Sequence, residues 1–355
     1  MNLFSLIVGN DQIKNFLINM VRHEKIGNSF LFAGADGIGK SLFASALAKY
    51  LLCGEEPSPK FDQGNHPDFH QYYPEGKIGM HSIDTMRRFK QEVYLPPYES
   101  RRQIFVIHEA DRMLPYSANA LLKSFEEPPQ NTIIILLSSS PSSFLPTVLS
   151  RCRKIFFHPL SREQIAHLLE QRGMDPDKAL SIAGSSQGSI KRALRLAETG
   201  EDPLIEKLLT FLRQPDWPYE DIREVCSSIG GELEALRETV EQETTEEMGG
   251  ASLKELSATQ REQVEKEIQG VATMRYQGVV ETLLQTILSW SRDAELCRCG
   301  GDPKYLMLPV SSEKLPEKIS LFKVNKMIDD ARLAIRRFIP VASALETLFL
   351  KLVSK

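Results

Sequence analysis

Ser29-Phe30-Leu31-Phe32-Ala33-Gly34-Ala35-Asp36-Gly37-Ile38-Gly39-Lys40-Ser41 is the stretch that decides the fold. Its first five residues are an apolar run of strand length, and Leu42 to Leu52 is rich in helix formers. Gly34, Gly39, Lys40 and Ser41 fill every fixed position of a Walker A phosphate-binding loop, in the strand–loop–helix context the motif requires. Glycines at 34, 37 and 39 let backbone N–H groups turn inward around a β-phosphate, and the following helix N-terminus adds partial positive charge. Lys40 is placed to reach the β- and γ-phosphates, and the Ser41 hydroxyl to ligate Mg²⁺. The expected ligands are ATP and Mg²⁺. Hydrolysis does not follow from the loop alone.

Outward from this loop, Ile104–Ile107, Thr132–Leu137 and Lys154–Phe157 are further apolar runs with helical stretches between them. That alternation predicts an α/β fold with a parallel sheet covered on both faces. From Ser161 the pattern changes. Ser161 with Gln164 forms a capping-box start, Ile165, Leu168 and Leu169 follow at helical spacing, and short helices are expected near 176–184 and 189–198. Pro215-Asp216-Trp217-Pro218 marks a break, beyond which the chain is helical in pattern, with Val279, Leu283, Ile287 and Trp290 on one face. A last helix over about 319–352 is interrupted near Pro340. The expected domains are 1–158 for nucleotide binding, 159–204 as a small helical domain and 205–355 as an all-α domain. Residues 232–247 carry seven Glu against one Arg before Gly249-Gly250 and read as a solvated helix and loop within a 232–270 insert. Cys297–Pro316, with Gly300-Gly301 and Pro303, Pro309 and Pro316, reads as a long connection.

Composition narrows the class. The 355 residues are 42% hydrophobic and 25% charged, ordinary for a globular protein. A net charge of −4 argues against a strongly basic nucleic-acid surface. The five cysteines, at 53, 152, 226, 297 and 299, are scattered, and Cys297-x-Cys299 fits no common zinc knuckle, so reduced thiols and a cytoplasmic location are expected. Met1 to Ser5 lacks the basic start of a signal peptide, and Ile133–Leu137 is far shorter than the ~20 residues that span a bilayer, so no membrane association is expected.

Three further strings carry chemistry. Ile104-Phe105-Val106-Ile107-His108-Glu109-Ala110-Asp111 has the Walker B pattern, an apolar strand running into acidic residues. Where the first acid normally orients Mg²⁺ stands His108, and imidazole is a poor partner for a hard cation. Glu109 keeps the position that activates water. A second reading leaves His108 as a strand cap, with Asp111 or Glu109 serving the metal. Next, Asn119-Ala120-Leu121-Leu122-Lys123-Ser124-Phe125-Glu126-Glu127-Pro128-Pro129 is a helix stopped by Pro-Pro, and the strand after it leads into Ser138-Ser139-Ser140, where Ser139 can sense a γ-phosphate. Last comes Leu149-Ser150-Arg151-Cys152-Arg153. An Arg on a turn beside the sheet can act as a finger in a neighbour's site, worth ~10³–10⁵ in rate, or form a surface salt bridge. Spacing alone leaves both open.

Together these strings resemble the clamp-loader branch of the AAA+ ATPases. Asn119–Pro129 is similar to its N-A-L-L-K-x-x-E-E-P-P, and Ser150-Arg151-Cys152 to its S-R-C motif. Gly188-Ser189-Ile190-Lys191-Arg192-Ala193-Leu194 resembles its sensor-2 segment, with Lys191 at the Arg position, which keeps the charge but loses the bidentate fork. The match covers about residues 4–200. The C-terminal third is compatible with the family's helical collar, best at Ala344–Leu350. The resemblance implies a RecA-like sheet, a helical lid, a collar, and a ring with γ/τ and δ subunits that loads a sliding clamp onto primed DNA. It implies that Arg151 acts in trans as the finger and Lys191 as sensor 2. His108 and the opening Phe4–Asn10, which lacks the K-W-R-P string of the γ/τ motors, resemble the family's stator subunit more than its motors. The alternative is a motor that hydrolyses ATP at its own site. Many relatives carry four zinc-binding cysteines between the two Walker motifs. Here only Cys53 lies there, and His66, His70 and His81 do not complete a set, so no zinc site is expected.

Overall fold

The computed structural model describes residues 3–5, 7–75, 80–113, 124–125, 127–139, 144, 146–200, 203–214, 216–249, 258–302, 306, 308 and 320–353. Asn119 to Lys123, Glu126, Ser140, Pro215, Pro303, Pro309 and Pro316, with residues 250–257 of the acidic insert, lie outside them.

The chain divides into two compact units, Met1–Leu194 with Ser257–Val271, and Arg195–Leu256 with Ala272–Lys355. The first holds a five-stranded, wholly parallel sheet in the order β2-β3-β4-β1-β5. Its strands are β1 (Ser29–Ala33), β2 (Phe69–Tyr72), β3 (Gln103–Ile107), β4 (Thr132–Ser138) and β5 (Arg153–Phe156). Helices α1 (Asp11–Arg22), α2 (Lys40–Cys53), α3 (Pro59–Asp62), α4 (Ile83–Glu92) and the short α5 (Pro146–Leu149) intervene. The α/β class read from the apolar runs is the one observed.

Strand alternation splits the core into two layers. Phe30 and Phe32 of β1, with Ile104 and Val106 of β3, join Phe43 and Leu47 of α2 on one face. Leu31 and Ala33, with Phe105 and Ile107, join Met86 and Phe89 of α4 on the other. Every residue of β1, β3 and β4 is buried, which is why they read as continuous apolar runs. β2 escaped the sequence reading. It lies at the sheet edge, and its central His70 and Gln71 break the apolar run.

The remaining helices follow their sequence signals. α6 (Arg162–Glu170) starts at the capping box, with Gln164 N donating to Ser161 Oγ at 3.2 Å and Ser161 N to Gln164 Oε1 at 3.0 Å. Such caps contribute about 1 kcal/mol. α7 (Pro176–Ser185) and α8 (Ile190–Thr199) complete the expected helical stretch. The second unit is helical among its described residues: α9 (Pro203–Leu212), α10 (Tyr219–Gly249), the Ala272–Arg298 part of α11 (Ala258–Arg298), α12 (Leu321–Arg336) and α13 (Val341–Val353). Its core holds the predicted face of Val279, Leu283, Ile287 and Trp290, and Trp217 lies against Phe211, Trp290 and Phe349 with ring centroids 5.5, 5.6 and 5.8 Å apart. The last helix is interrupted where Pro340 stands, between α12 and α13.

Candidate functional site

The phosphate loop leaves β1 at Ala33 and enters α2 at Lys40. Gly34, Gly37 and Gly39 have φ of +151°, +75° and +101°, a region open to glycine. At Gly34 a Cβ would also lie 2.7 Å from the Phe157 carbonyl oxygen. Lys40 Nζ donates to the carbonyls of Gly34 and Ala35, at 2.7 and 2.6 Å, so the ammonium sits over the loop it serves. Burial holds its pKa below the ordinary lysine value, while the nearby charges of Asp36, Asp111 and Glu109 act in the opposite sense. Residues from two separate strings thus reach one electrostatic neighbourhood.

Glu109 and Asp111 arrive on a tight turn. β3 ends at Ile107, Glu109 has φ 44° and ψ 49°, and Ala110–Arg112 forms a 3₁₀ turn. A left-handed glutamate is uncommon and belongs with special sites. Its carboxylate pairs with Arg112 three residues on. Burial raises the Glu109 pKa, with Arg112 opposing and Asp36 and Asp111 adding to it. Asp111 Oδ1 accepts from Ser139 N at 3.3 Å, which ties the end of β4 to this turn.

His108 is fixed from three sides. It stacks on Tyr73, with ring centroids 4.1 Å apart and planes 18° apart. Its Nε2 lies 3.2 Å from Gln71 Oε1, and its backbone carbonyl accepts from the fully buried His81 Nε2 at 2.7 Å. Burial, with His81 beside it, pushes the His108 pKa down to about 4, so the ring is neutral at pH 7. Gln71, Tyr73, His81 and Arg112 were not singled out as site residues from spacing. The acid–x–x–Arg spacing of Glu109 and Arg112 was the one local signal; Gln71 and Tyr73 arrive because β2 pairs with β3, and His81 because it bridges to Met113 after β3.

The start of α8 closes on the loop. Lys191 N donates to Gly37 O at 3.2 Å, and Lys191 Nζ lies 3.6 Å from Asp36 Oδ2. A Cβ on Gly37 would meet Ser189 Oγ at 2.2 Å and Lys191 Cβ at 2.9 Å. Arg151 stands elsewhere. It is exposed on the turn after α5, its Nη1 donating to Thr147 O at 2.8 Å and Ser150 Oγ at 3.3 Å. The register pairs Phe30 with Arg153 and Ala33 with Phe156, so Arg151 lies beyond the start of β5 while the loop lies beyond the end of β1. In a parallel pair these are opposite ends.

The donor set can be matched to the expected ligands. Loop glycines, the α2 N-terminus and Lys40 suit a polyphosphate. For Mg²⁺ the set departs from the usual one: Ser41 supplies a hydroxyl and Asp111 a carboxylate, but His108 supplies nitrogen, and Glu109 is paired with Arg112. Of the remaining candidates, His66 lies 3.5 Å from Glu99, His70 stacks on Phe105 and lies 3.7 Å from Glu92, and His81 is held by the β3 turn.

Residues 9–161 match the family described as DNA polymerase III, delta subunit. The chain is 30% identical over 200 residues to DNA polymerase III subunit delta′ of Bacillus subtilis, covering 54% of this chain and 60% of that protein. It is 28% identical over 211 residues to DNA polymerase III subunit tau of Escherichia coli, covering 55% of this chain and 32% of that protein. The chain thus spans less than two thirds of the length of these relatives. A solved structure of a DNA polymerase III gamma-subunit-related protein from Thermotoga maritima aligns with 95% of this chain and 98% of its own, at a TM-score of 0.43 and 16% identity, too loose a likeness to argue from. Over the matched residues the chain is thus similar to the delta′ and tau subunits of DNA polymerase III.

Proposed function

We propose that this chain is a clamp-loader subunit of DNA polymerase III, the delta′-like stator of its complex. It binds ATP at Gly34–Ser41, turns it over slowly or not at all, and lends Arg151 to the site of an adjacent γ/τ subunit. The observation that carries the reading is the pairing of a complete phosphate loop with an imidazole, His108, where the metal-orienting acid would stand. The Glu109–Arg112 pair supports it, because a carboxylate oxygen taken by a guanidinium is not aimed at an attacking water. The placement of Arg151, at the opposite end of the strands from its own loop, supports action on a neighbour rather than in cis.

On this reading 159–204 is the lid that carries Lys191, and 205–355 is the collar that packs into a ring with γ/τ and δ subunits. The sliding clamp and primed DNA are met through that ring, in the cytoplasm. Among the described residues no helix is long and apolar enough to cross a membrane. A γ/τ-like motor that hydrolyses ATP at its own site is the second reading, favoured by Glu109 at the water-activating position.

Steady-state ATPase of the chain separates the two. The stator is silent alone, with or without primed DNA, and activity appears on adding γ and δ partners. Robust turnover by the isolated chain favours the motor. His108→Asp, in a complex whose γ sites are silenced, should raise turnover at this site by restoring an oxygen ligand beside Glu109.

A further inference from the structure

His108 does more than remove a carboxylate. On the α2 side of the sheet, its ring lines a cavity of about 370 Å³ together with Ser41, Leu42 and Ser45 from the first turns of α2 and Gln71 and Tyr73 at the β2 end. Ser41, whose hydroxyl the loop motif assigns to a cation, therefore lines the same space as an imidazole. Gln71 Oε1 accepts from Tyr73 Oη at 3.0 Å and lies 3.2 Å from His108 Nε2. An oxygen that already accepts one hydrogen makes Nε2 the protonated nitrogen and leaves Nδ1 with the lone pair. A partner that fixes the tautomer, and a ring clamped by stacking 4.1 Å from Tyr73, are the usual support of a ligating histidine. Of the carboxylates nearby, Glu109 is paired with Arg112, and Asp111 gives one oxygen, Oδ1, to Ser139 N. Among the described residues no three His, Cys, Asp or Glu side chains form a cage of their own, so any cation here draws its other ligands from the nucleotide.

We propose that the cation this site takes with its nucleotide is a borderline first-row transition ion, Mn²⁺ or Co²⁺ in preference to Mg²⁺, held by the His108 imidazole beside the Ser41 hydroxyl. Imidazole suits such ions, whereas Mg²⁺ seeks oxygen and keeps its waters. The inference rests on the nucleotide-binding reading above, and its failure is distinguishable from the failure of that reading.

The test is calorimetric titration of the full chain with ATP in EDTA, Mg²⁺, Mn²⁺ or Co²⁺, repeated with His108→Asp. In the wild type, Mn²⁺ or Co²⁺ should tighten ATP binding about tenfold relative to Mg²⁺, and His108→Asp should abolish or reverse that preference. A second measurement needs no variant. Electron spin-echo spectra of wild-type protein labelled with ¹⁵N-histidine and loaded with Mn²⁺ and ATP should show coupling to a ¹⁵N nucleus. ATP binding of equal strength with every cation, or bound Mn²⁺ without ¹⁵N coupling, overturns the inference and leaves nucleotide binding intact. No ATP binding under any condition overturns both.

Discussion

Replacing Gly37 by alanine should cost both loop stability and nucleotide affinity, and the two costs can be separated. Gly37 has φ +75°, so a Cβ there carries a backbone penalty of about 1 kcal/mol whatever surrounds it. The added methyl would also lie 2.2 Å from Ser189 Oγ and 2.9 Å from Lys191 Cβ. Ser189 Oγ accepts from Arg192 N at 3.3 Å, and moving it aside gives up a helix cap worth about 1 kcal/mol. Pushing Lys191 back breaks its 3.2 Å bond to Gly37 O, for about another 1 kcal/mol. Gly64 supplies the control, since its φ is also +75° and nothing lies within 4 Å of its Cβ position. Gly64→Ala should therefore destabilise by about 1 kcal/mol and Gly37→Ala by about 3 kcal/mol in urea unfolding. If the start of α8 must sit on the loop for tight binding, the extra ~2 kcal/mol appears as roughly 30-fold weaker ATP binding in Gly37→Ala alone. Equal destabilisation by the two variants, with unchanged ATP affinity in both, would refute the idea that α8 braces the loop.

Other outcomes follow from the same geometry. Lys40→Ala removes the cation beside Gly34 and Ala35 and should weaken ATP binding at least about tenfold by calorimetry, with assembly into a reconstituted complex preserved. Arg151→Ala should leave ATP binding by this chain unchanged, partly lower DNA-stimulated turnover of the complex and more strongly impair clamp loading; wild-type loading by an intact mutant complex returns Arg151 to a surface role. Asp68 should make folding acid-sensitive. Burial pushes its carboxyl up, but hydrogen bonds from the backbone N–H groups of Tyr98, Glu99 and Ser100 outweigh it and hold the pKa below the usual carboxylate range. A depressed carboxylate stabilises the fold above the unfolded-state pKa and loses that contribution as pH falls through the folded one, so Asp68→Asn should be less stable at pH 7 and show a flatter acid limb in thermal melts.

Legibility in the sequence tracked how local each signal was. β1, β3 and β4 are buried throughout, so burial wrote itself as unbroken apolar runs. The loop glycines, the Ser161 capping box and the interruption at Pro340 were equally local. β2 was not legible, because an edge strand needs no apolar centre, and with it went Gln71 and Tyr73, the residues that clamp His108. The replacement of an acid by His108 could be read at once; what holds the ring could not. Asp36 and Lys191 are separated by most of the first unit in sequence, and only the return of the chain to the loop at α8 makes them neighbours. His81 looked like one more imidazole near a lost metal module. It instead bridges the β3 turn, its ring donating to His108 O and its backbone to Arg112 O.

The parallel register of β1 and β5 gives the subunit a polarity. Its phosphate loop opens past the ends of the strands and Arg151 stands before their beginnings, so on the proposed reading the loop is a receiving pole and Arg151 a donating one, and the two cannot serve each other. Contacts between such poles are head-to-tail and do not pair two copies symmetrically. A line of subunits built this way has a sense of travel, like a queue in which each member hands something only to the next. On the proposed reading, a member that gives an arginine but has a muted site of its own belongs at the head of that line. The order of subunits would then be set by one substitution at the end of β3.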